Sequence, residues 1–188
     1  KVDSDIKDTL EDEDTTPDKD NNTIIDTKIQ DKICTKAKEI VKMCTDGKAW
    51  YSQWYRTTDY RKPKKISGSG EHSTLKNHIG KYAWDCSSFV GCCYDYAGIS
   101  ELVDKACSSG TLIQALNKKN ATYWKYTDDK NLTKAKAGDI IMFANKSVAN
   151  VSDLSTMTGW SKTHHTAIYL GGGKVAHARN YTKGIAIT

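Results

Sequence analysis

The chain has 188 residues and a formal net charge of +5, enough for one domain and a tail. The charge is uneven: residues 1–31 hold eleven Asp or Glu and four Lys, a net −7, which leaves +12 on the remainder. No apolar run approaches the about 20 residues that cross a membrane. No helix-turn-helix, finger or comparable signature joins the positive charge to nucleic acid.

The first segment carries runs such as Glu11-Asp12-Glu13-Asp14 and has few large apolar residues. It cannot bury enough surface to offset its chain entropy. Residues 1–28 therefore read as a flexible linker or arm, or as an acidic interaction tail, and residues 29–188 as the domain. The basic remainder suits a polyanionic partner such as nucleic acid or an anionic bacterial cell wall. Its densest run, Arg61-Lys62-Pro63-Lys64-Lys65, is the kind that usually forms a solvated loop.

A helix is predicted from about Thr27 to Thr45. There Ile29, Ile33, Ala37, Ile40, Val41 and Cys44 recur at helical spacing, and Asp46-Gly47 supplies the stop. An aromatic cluster follows, Trp50-Tyr51-Ser52-Gln53-Trp54-Tyr55-Arg56, either core packing or the wall of a cleft. Residues 57 to 83 look irregular, and a long loop of this kind often borders a site. Its Gly68-Ser69-Gly70 neither follows a strand nor opens a helix, which argues against a phosphate loop.

A central helix is predicted from Cys86 to about Ala97, ended by Gly98. A shorter one runs from about Ser109 to Lys118, capped by Ser108 or Ser109. Thr122 to Tyr126 reads as a short strand. Ala137-Gly138-Asp139 turns into the strand Ile140-Ile141-Met142-Phe143, and residues 145 to 162 form a polar connection. The strand-like runs His165–Leu170 and Lys174–Ala178 flank Gly171-Gly172-Gly173, a hairpin signal, and Gly184 to Thr188 makes a last strand. Helices first and antiparallel strands second read as α+β.

The six cysteines contain no CxxC pair, and Cys92 and Cys93 are adjacent. That suits neither a disulfide framework nor a zinc motif, so mostly reduced thiols are expected. The six Asn-x-Ser/Thr triplets read as coincidence in an Asn- and Thr-rich chain.

Cys86 stands apart because it opens the central helix, just after Asp85. The positive end of a helix lowers a thiol pKa and favours a thiolate nucleophile; the bland reading is a buried core cysteine. If the three glycines form the hairpin loop, Leu170 faces Lys174, Ala167 faces His177 and His165 faces Arg179. His165 and His177 are then diagonal neighbours on one face. A two-residue loop would put them on opposite faces. His164 alternates to the other side.

A thiol, an imidazole to take its proton and a polar group to orient that imidazole are the parts of cysteine hydrolysis. Cys86 would be the nucleophile, His165 the base and His177 the group that fixes its tautomer. The Cys86 backbone N–H would hold the oxyanion with a second donor, for which Tyr51 is the candidate. A zinc site from Cys86, His165 and His177 is a chemical alternative.

The string Asp85-Cys86-Ser87-Ser88-Phe89-Val90, the turn and strand Gly138–Phe143, and the hairpin from His165 through Ala178 together resemble the NlpC-type papain-like cysteine peptidases of bacterial cell walls. The two histidines sit twelve apart, as that family's motif has them. Tyr51-Ser52-Gln53 with Arg56 resembles the variant found in bacteriophage peptidoglycan hydrolases (endolysins).

The resemblance covers about residues 30 to 188. It implies a circularly permuted papain-like fold, with the cysteine helix packed on an antiparallel sheet. It implies hydrolysis of amide bonds in peptidoglycan stem peptides without metal or cofactor. Cys86, His165 and His177 would be the triad and Tyr51 the cleft tyrosine. Asp85 and Ser87 would hold a free amine of the stem peptide, with Trp50 also against substrate. The bland role of Asp85 is helix capping.

The implied partner is bacterial peptidoglycan, with neither nucleic acid nor membrane. The arm would link the domain to the rest of a larger lysin or tail protein, acting outside the cell on the wall, virion-associated or released from the host cytoplasm. A γ-D-glutamyl endopeptidase, an N-acetylmuramoyl-L-alanine amidase and a non-catalytic wall-binding or tail module all remain open. Two features depart from the family: a longer segment between Tyr51 and Cys86, and a short stretch after the second histidine.

Overall fold

The computed structural model describes residues 19–119, 121, 130–144 and 163–188. Helix α1 (Lys19–Thr45) leads, followed by the short strand β1 (Ala49–Tyr51). A loop with a single 3₁₀ segment, Ser73–Asn77, leads to β2 (Tyr82–Trp84), helix α2 (Cys86–Tyr96) and helix α3 (Ser109–Lys118). Strands β3 (Ile140–Ala144), β4 (Thr163–Gly171), β5 (Lys174–Asn180) and β6 (Gly184–Ile187) follow. They form one antiparallel sheet in the order β3-β4-β5-β6. The class is α+β, as the order of helical and strand patterns predicts. The strand expected at Thr122–Tyr126 and the connection at 145–162 lie outside the described residues. No helix among the described residues is long and apolar enough to cross a membrane.

The core forms where α1 and α2 pack on each other and on the sheet. Ile33, Ala37 and Ile40 of α1 meet Phe89, Val90, Cys92 and Cys93 of α2, above Ile168, Ala176, Ala178 and Ile185 of the strands. Every residue of α2 from Cys86 to Cys93 is buried. Such a helix is held by burial rather than by an amphipathic face. Gly91 lets it come close: a Cβ there would lie 2.3 Å from the Ala106 Cβ. All six cysteines are free thiols.

The start of α2 is fixed by a capping box. Asp85 Oδ1 accepts the Ser88 N–H at 2.8 Å, and Ser88 Oγ accepts the Asp85 N–H at 2.9 Å. Such a cap is worth about 1 kcal/mol. Gly98, at φ +101°, follows the last turn. Helix α3 starts the same way, with Ser108 and Thr111 as the reciprocal pair.

Two features differ from the sequence reading. Helix α1 begins at Lys19, inside the acidic segment, rather than near Thr27. A parallel pair, β1 with β2, joins Ala49 to Tyr82 and Tyr51 to Trp84. It makes the end of the irregular-looking stretch a strand and brings Tyr51 beside the start of α2.

The hairpin resolves the register question. Gly171 pairs with Lys174, so the loop is the two-residue Gly172-Gly173. Both glycines have positive φ, 59° and 74°, as a tight primed turn requires. A bulge between Tyr169 and Gly171 then adds one residue, and Tyr169 faces Val175 and Ile168 faces Ala176. That is the pairing a three-residue loop gives, so the bulge keeps both histidines on one face.

Candidate active site

Cys86 is the first residue of α2 and is 6% exposed. The backbone N–H groups of Thr166, Ser87 and Cys86 itself act on its thiol electrostatically. Thr166 directly follows His165, so the thiol lies against the strand that carries that imidazole. Burial pushes the Cys86 thiol up to about 12, Asp85 adds to the rise, and the three N–H groups pull against it. The helix start acts in the direction read from sequence, but desolvation outweighs it. At rest Cys86 is a neutral thiol.

His165 Nε2 lies 2.7 Å from His177 Nδ1, and His177 Nε2 lies 3.1 Å from Thr188 Oγ1. With Nε2 engaged, Nδ1 is the nitrogen of His165 left to serve a thiol. Burial holds His165 down at about 4, helped by the His177 ring, His164 and Arg179. Burial, with Arg179, holds His177 at about 4 as well. Both rings are neutral at pH 7. Phe143, paired with His165 across β3 and β4, packs its ring 5.2 Å from the imidazole and shields one side. His164 is exposed.

The 2.7 Å separation of the ring nitrogens suits a shared proton. Two nitrogens bound to one tetrahedral zinc would stand about 3.3 Å apart. The geometry therefore favours the hydrogen-bonded pair over the zinc alternative.

Tyr51 is 6% exposed and its hydroxyl accepts from Gln53 Nε2 at 3.0 Å. Burial first, then the neighbouring Cys86 and Asp85, raise its pKa far above the usual phenol. It stays protonated and can donate. Asp85, 4% exposed, accepts from Ser88 N–H, from Ser87 Oγ at 3.2 Å and from Arg56 Nη1 at 2.9 Å. Asp85, Cys86 and Ser87 line a cleft of about 230 Å³ with Gln53, Arg56 and the segment Cys107-Ser108-Ser109.

Trp50 is not among the residues lining this cleft. It alternates to the other side of β1 from Tyr51, where it stacks on His78 at 3.9 Å. Its indole N–H donates to the Tyr181 carbonyl at 2.9 Å. His72 caps the 3₁₀ segment and stacks on Tyr181. Trp50, His72 and His78 thus have packing partners away from the thiol.

Three contributors carry no local signature in the sequence. Glu71 accepts from Ser52 Oγ at 2.6 Å, from the N–H groups of Gln53 and Trp54 at 2.7 and 3.1 Å, and from the Tyr181 hydroxyl. It pins the segment that presents Tyr51 and Gln53. Tyr181 packs edge-on against Tyr51 at 4.9 Å. Thr188 partners His177. Only the long loop's position near the aromatic cluster pointed toward Glu71.

Among the described residues no group of three or more His, Cys, Asp or Glu side chains is arranged to hold a metal ion. No family model matches the chain, and no curated protein matches it. Among solved structures the chain is similar to an NlpC/P60 family protein from Bacillus cereus ATCC 10987. The two are 24% identical, with a TM-score of 0.37. The match covers 56% of this chain and 26% of the other, so the chain spans about a quarter of that protein's length. A likeness this distant carries no weight for function, which rests on the site's own geometry.

Proposed function

We propose that the protein is a peptidoglycan hydrolase of the NlpC-type, papain-like class that cuts amide bonds in stem peptides through Cys86, His165 and His177. The observation that carries this reading is the 2.7 Å bond between His165 Nε2 and His177 Nδ1. It sits on β4, the strand that packs against α2 and whose Thr166 N–H acts on the Cys86 thiol. The base is oriented, one nitrogen remains for the thiol, and the thiol opens onto a polar cleft.

In the mechanism, the Cys86 sulfur attacks the scissile carbonyl carbon while His165 Nδ1 takes the thiol proton. The carbonyl oxygen becomes an oxyanion. N–H groups at the start of α2 have no intrahelical acceptor and stabilise it with the Tyr51 hydroxyl. The carbon–nitrogen bond then breaks, His165 returns the proton to the leaving amine, and an acyl-enzyme remains. Water, deprotonated by His165, releases the acid and restores the thiol. Asp85, the carboxylate of the cleft, attracts the ammonium group of a stem peptide, with Ser87 and Arg56 fixing its orientation.

Within this class we favour a γ-D-glutamyl endopeptidase of lysin or tail-lysin type, because the string Tyr51-Ser52-Gln53 with Arg56 is similar to phage examples. The +12 charge on residues 32–188 supports attraction to an anionic wall. Digestion of purified walls followed by mass spectrometry of the released muropeptides tests the proposal. New amino termini within the stem support the endopeptidase; release of intact stems from muramic acid identifies the amidase instead. Equal release by wild type and Cys86→Ala refutes cysteine catalysis. No release by wild type leaves the binding-module reading.

A further inference from the structure

We propose that Thr188 is a positioning residue of the catalytic relay: its hydroxyl accepts the His177 Nε2–H and holds that ring in the tautomer whose Nδ1 can accept from His165. The inference rests on the cysteine chemistry proposed above. It follows from counting protons along a chain of nitrogens. When His165 takes the thiol proton it becomes an imidazolium, with N–H on both nitrogens. Its Nε2–H then points at His177 Nδ1, 2.7 Å away. That nitrogen must carry a lone pair, so the single proton of a neutral His177 must sit on Nε2. The partner of Nε2 is Thr188 Oγ1 at 3.1 Å.

A hydroxyl can donate or accept, so Thr188 does not impose a tautomer alone. In the opposite arrangement Thr188 donates to Nε2 and His177 carries its proton on Nδ1. That proton would then face the Nε2–H of the His165 imidazolium. At rest the arrangement would also leave the His165 proton on Nδ1, the nitrogen that must take the thiol proton, so it is unproductive before and after proton transfer. Thr188 therefore acts from the resting enzyme through the transition state, by supplying the acceptor that the productive tautomer needs.

The position of Thr188 is well defined. Its backbone N–H donates to the Val175 carbonyl and its own carbonyl accepts the Val175 N–H, both at 2.9 Å. This extends the β5–β6 ladder one pair past Ala176 opposite Ile187. The hydroxyl is thereby held beside His177, which is 8% exposed. The titratable and charged groups whose fields reach the two rings are His164 on β4 and Arg179 on β5. The polar partner at His177 Nε2 is the Thr188 hydroxyl.

Thr188→Val removes the hydroxyl at nearly constant shape, and Thr188→Ser keeps it. Two measurements in the full chain need no wall substrate. Nitrogen-15 NMR of the imidazoles reads the His177 tautomer. Iodoacetamide alkylation, read at Cys86 by peptide mass spectrometry, reports proton transfer to His165. Wild type and Thr188→Ser should show the Nε2–H tautomer. Thr188→Val should show a mixed or reversed tautomer and about a tenfold slower alkylation, the effect of losing one hydrogen bond to a charged relay. An unchanged tautomer and alkylation rate in Thr188→Val overturn the proposal, as does failure of Thr188→Ser to rescue. If both measurements respond as expected but walls yield no muropeptides, the relay stands and the peptidoglycan assignment falls.

Discussion

The low proton affinity of His165 makes the acid side of the pH profile diagnostic. With a pKa of about 4, about 90% of His165 is neutral at pH 5 and nearly all at pH 7. An ordinary histidine at 6.5 would be about 3% neutral at pH 5 and about 76% neutral at pH 7. The rate limited by the free base should thus fall by about 10% between pH 7 and pH 5, whereas an ordinary histidine would lose about 25-fold. The assay is the initial rate of muropeptide release at wall substrate well below KM, where the rate follows the free enzyme, from pH 4.5 to 8 at constant ionic strength.

Circular dichroism at each pH must accompany these rates, because the same residues weaken the fold in acid. His165 and His177 both titrate lower in the native state than the usual 6.5. Between about pH 6.5 and 4 the unfolded chain therefore binds more protons than the native one. The stability contributed by keeping these rings neutral is complete above 6.5 and is lost as pH falls toward 4. An acid limb centred near 6.5, with the fold intact, would refute the assignment of a buried, neutral base.

Other perturbations separate the roles. Tyr51→Phe should lower kcat by about 100-fold with little change in KM, the scale of losing one oxyanion donor; equal kcat values would remove Tyr51 from the oxyanion site. Glu71→Ala leaves four donors, on Ser52, Gln53, Trp54 and Tyr181, without their carboxylate. Urea unfolding should show a loss of about 2–4 kcal/mol, together with a fall in kcat. Gly91→Ala drives a methyl to 2.3 Å from the Ala106 Cβ; thermal melts should record a loss of about 1–3 kcal/mol, since α2 is packed on all sides.

Local chemistry explains why some elements were legible. Helix α2 was placed to within a residue because Asp85, Ser88 and Gly98 mark its ends. The hairpin partners were found because three glycines separate two strand-like runs, even though the loop is two residues and a bulge supplies the third. The β1–β2 pair was not legible. Three residues per strand give no periodicity, and the parallel partners lie about thirty residues apart in sequence. Helix α1 reaches back to Lys19 through residues whose charge suggested an unstructured arm.

The site divides along a similar line. Cysteine and histidine announce their chemistry, so Cys86, His165 and His177 stood out as candidates in the sequence, and the fold brings the two histidines within hydrogen-bond distance. Thr188, Phe143 and Glu71 are residue types that occur everywhere, and only the fold gives them partners.

Sequence also gives the sign of a helix-start effect without the depth of burial that opposes it. At Cys86 that balance reverses the expected result. The N–H groups lower the thiol pKa, yet enclosure in the core raises it to about 12. A thiolate held permanently at that depth would need a permanent countercharge, and neutral His165 does not supply one. In the proposed mechanism the proton would therefore move to His165 as the sulfur attacks, when charge passes from sulfur to the carbonyl oxygen and the imidazolium gains His177 as its acceptor. The orienting chain of His177 and Thr188 matters most in that step, because it stabilises a charge on His165 that burial otherwise disfavours.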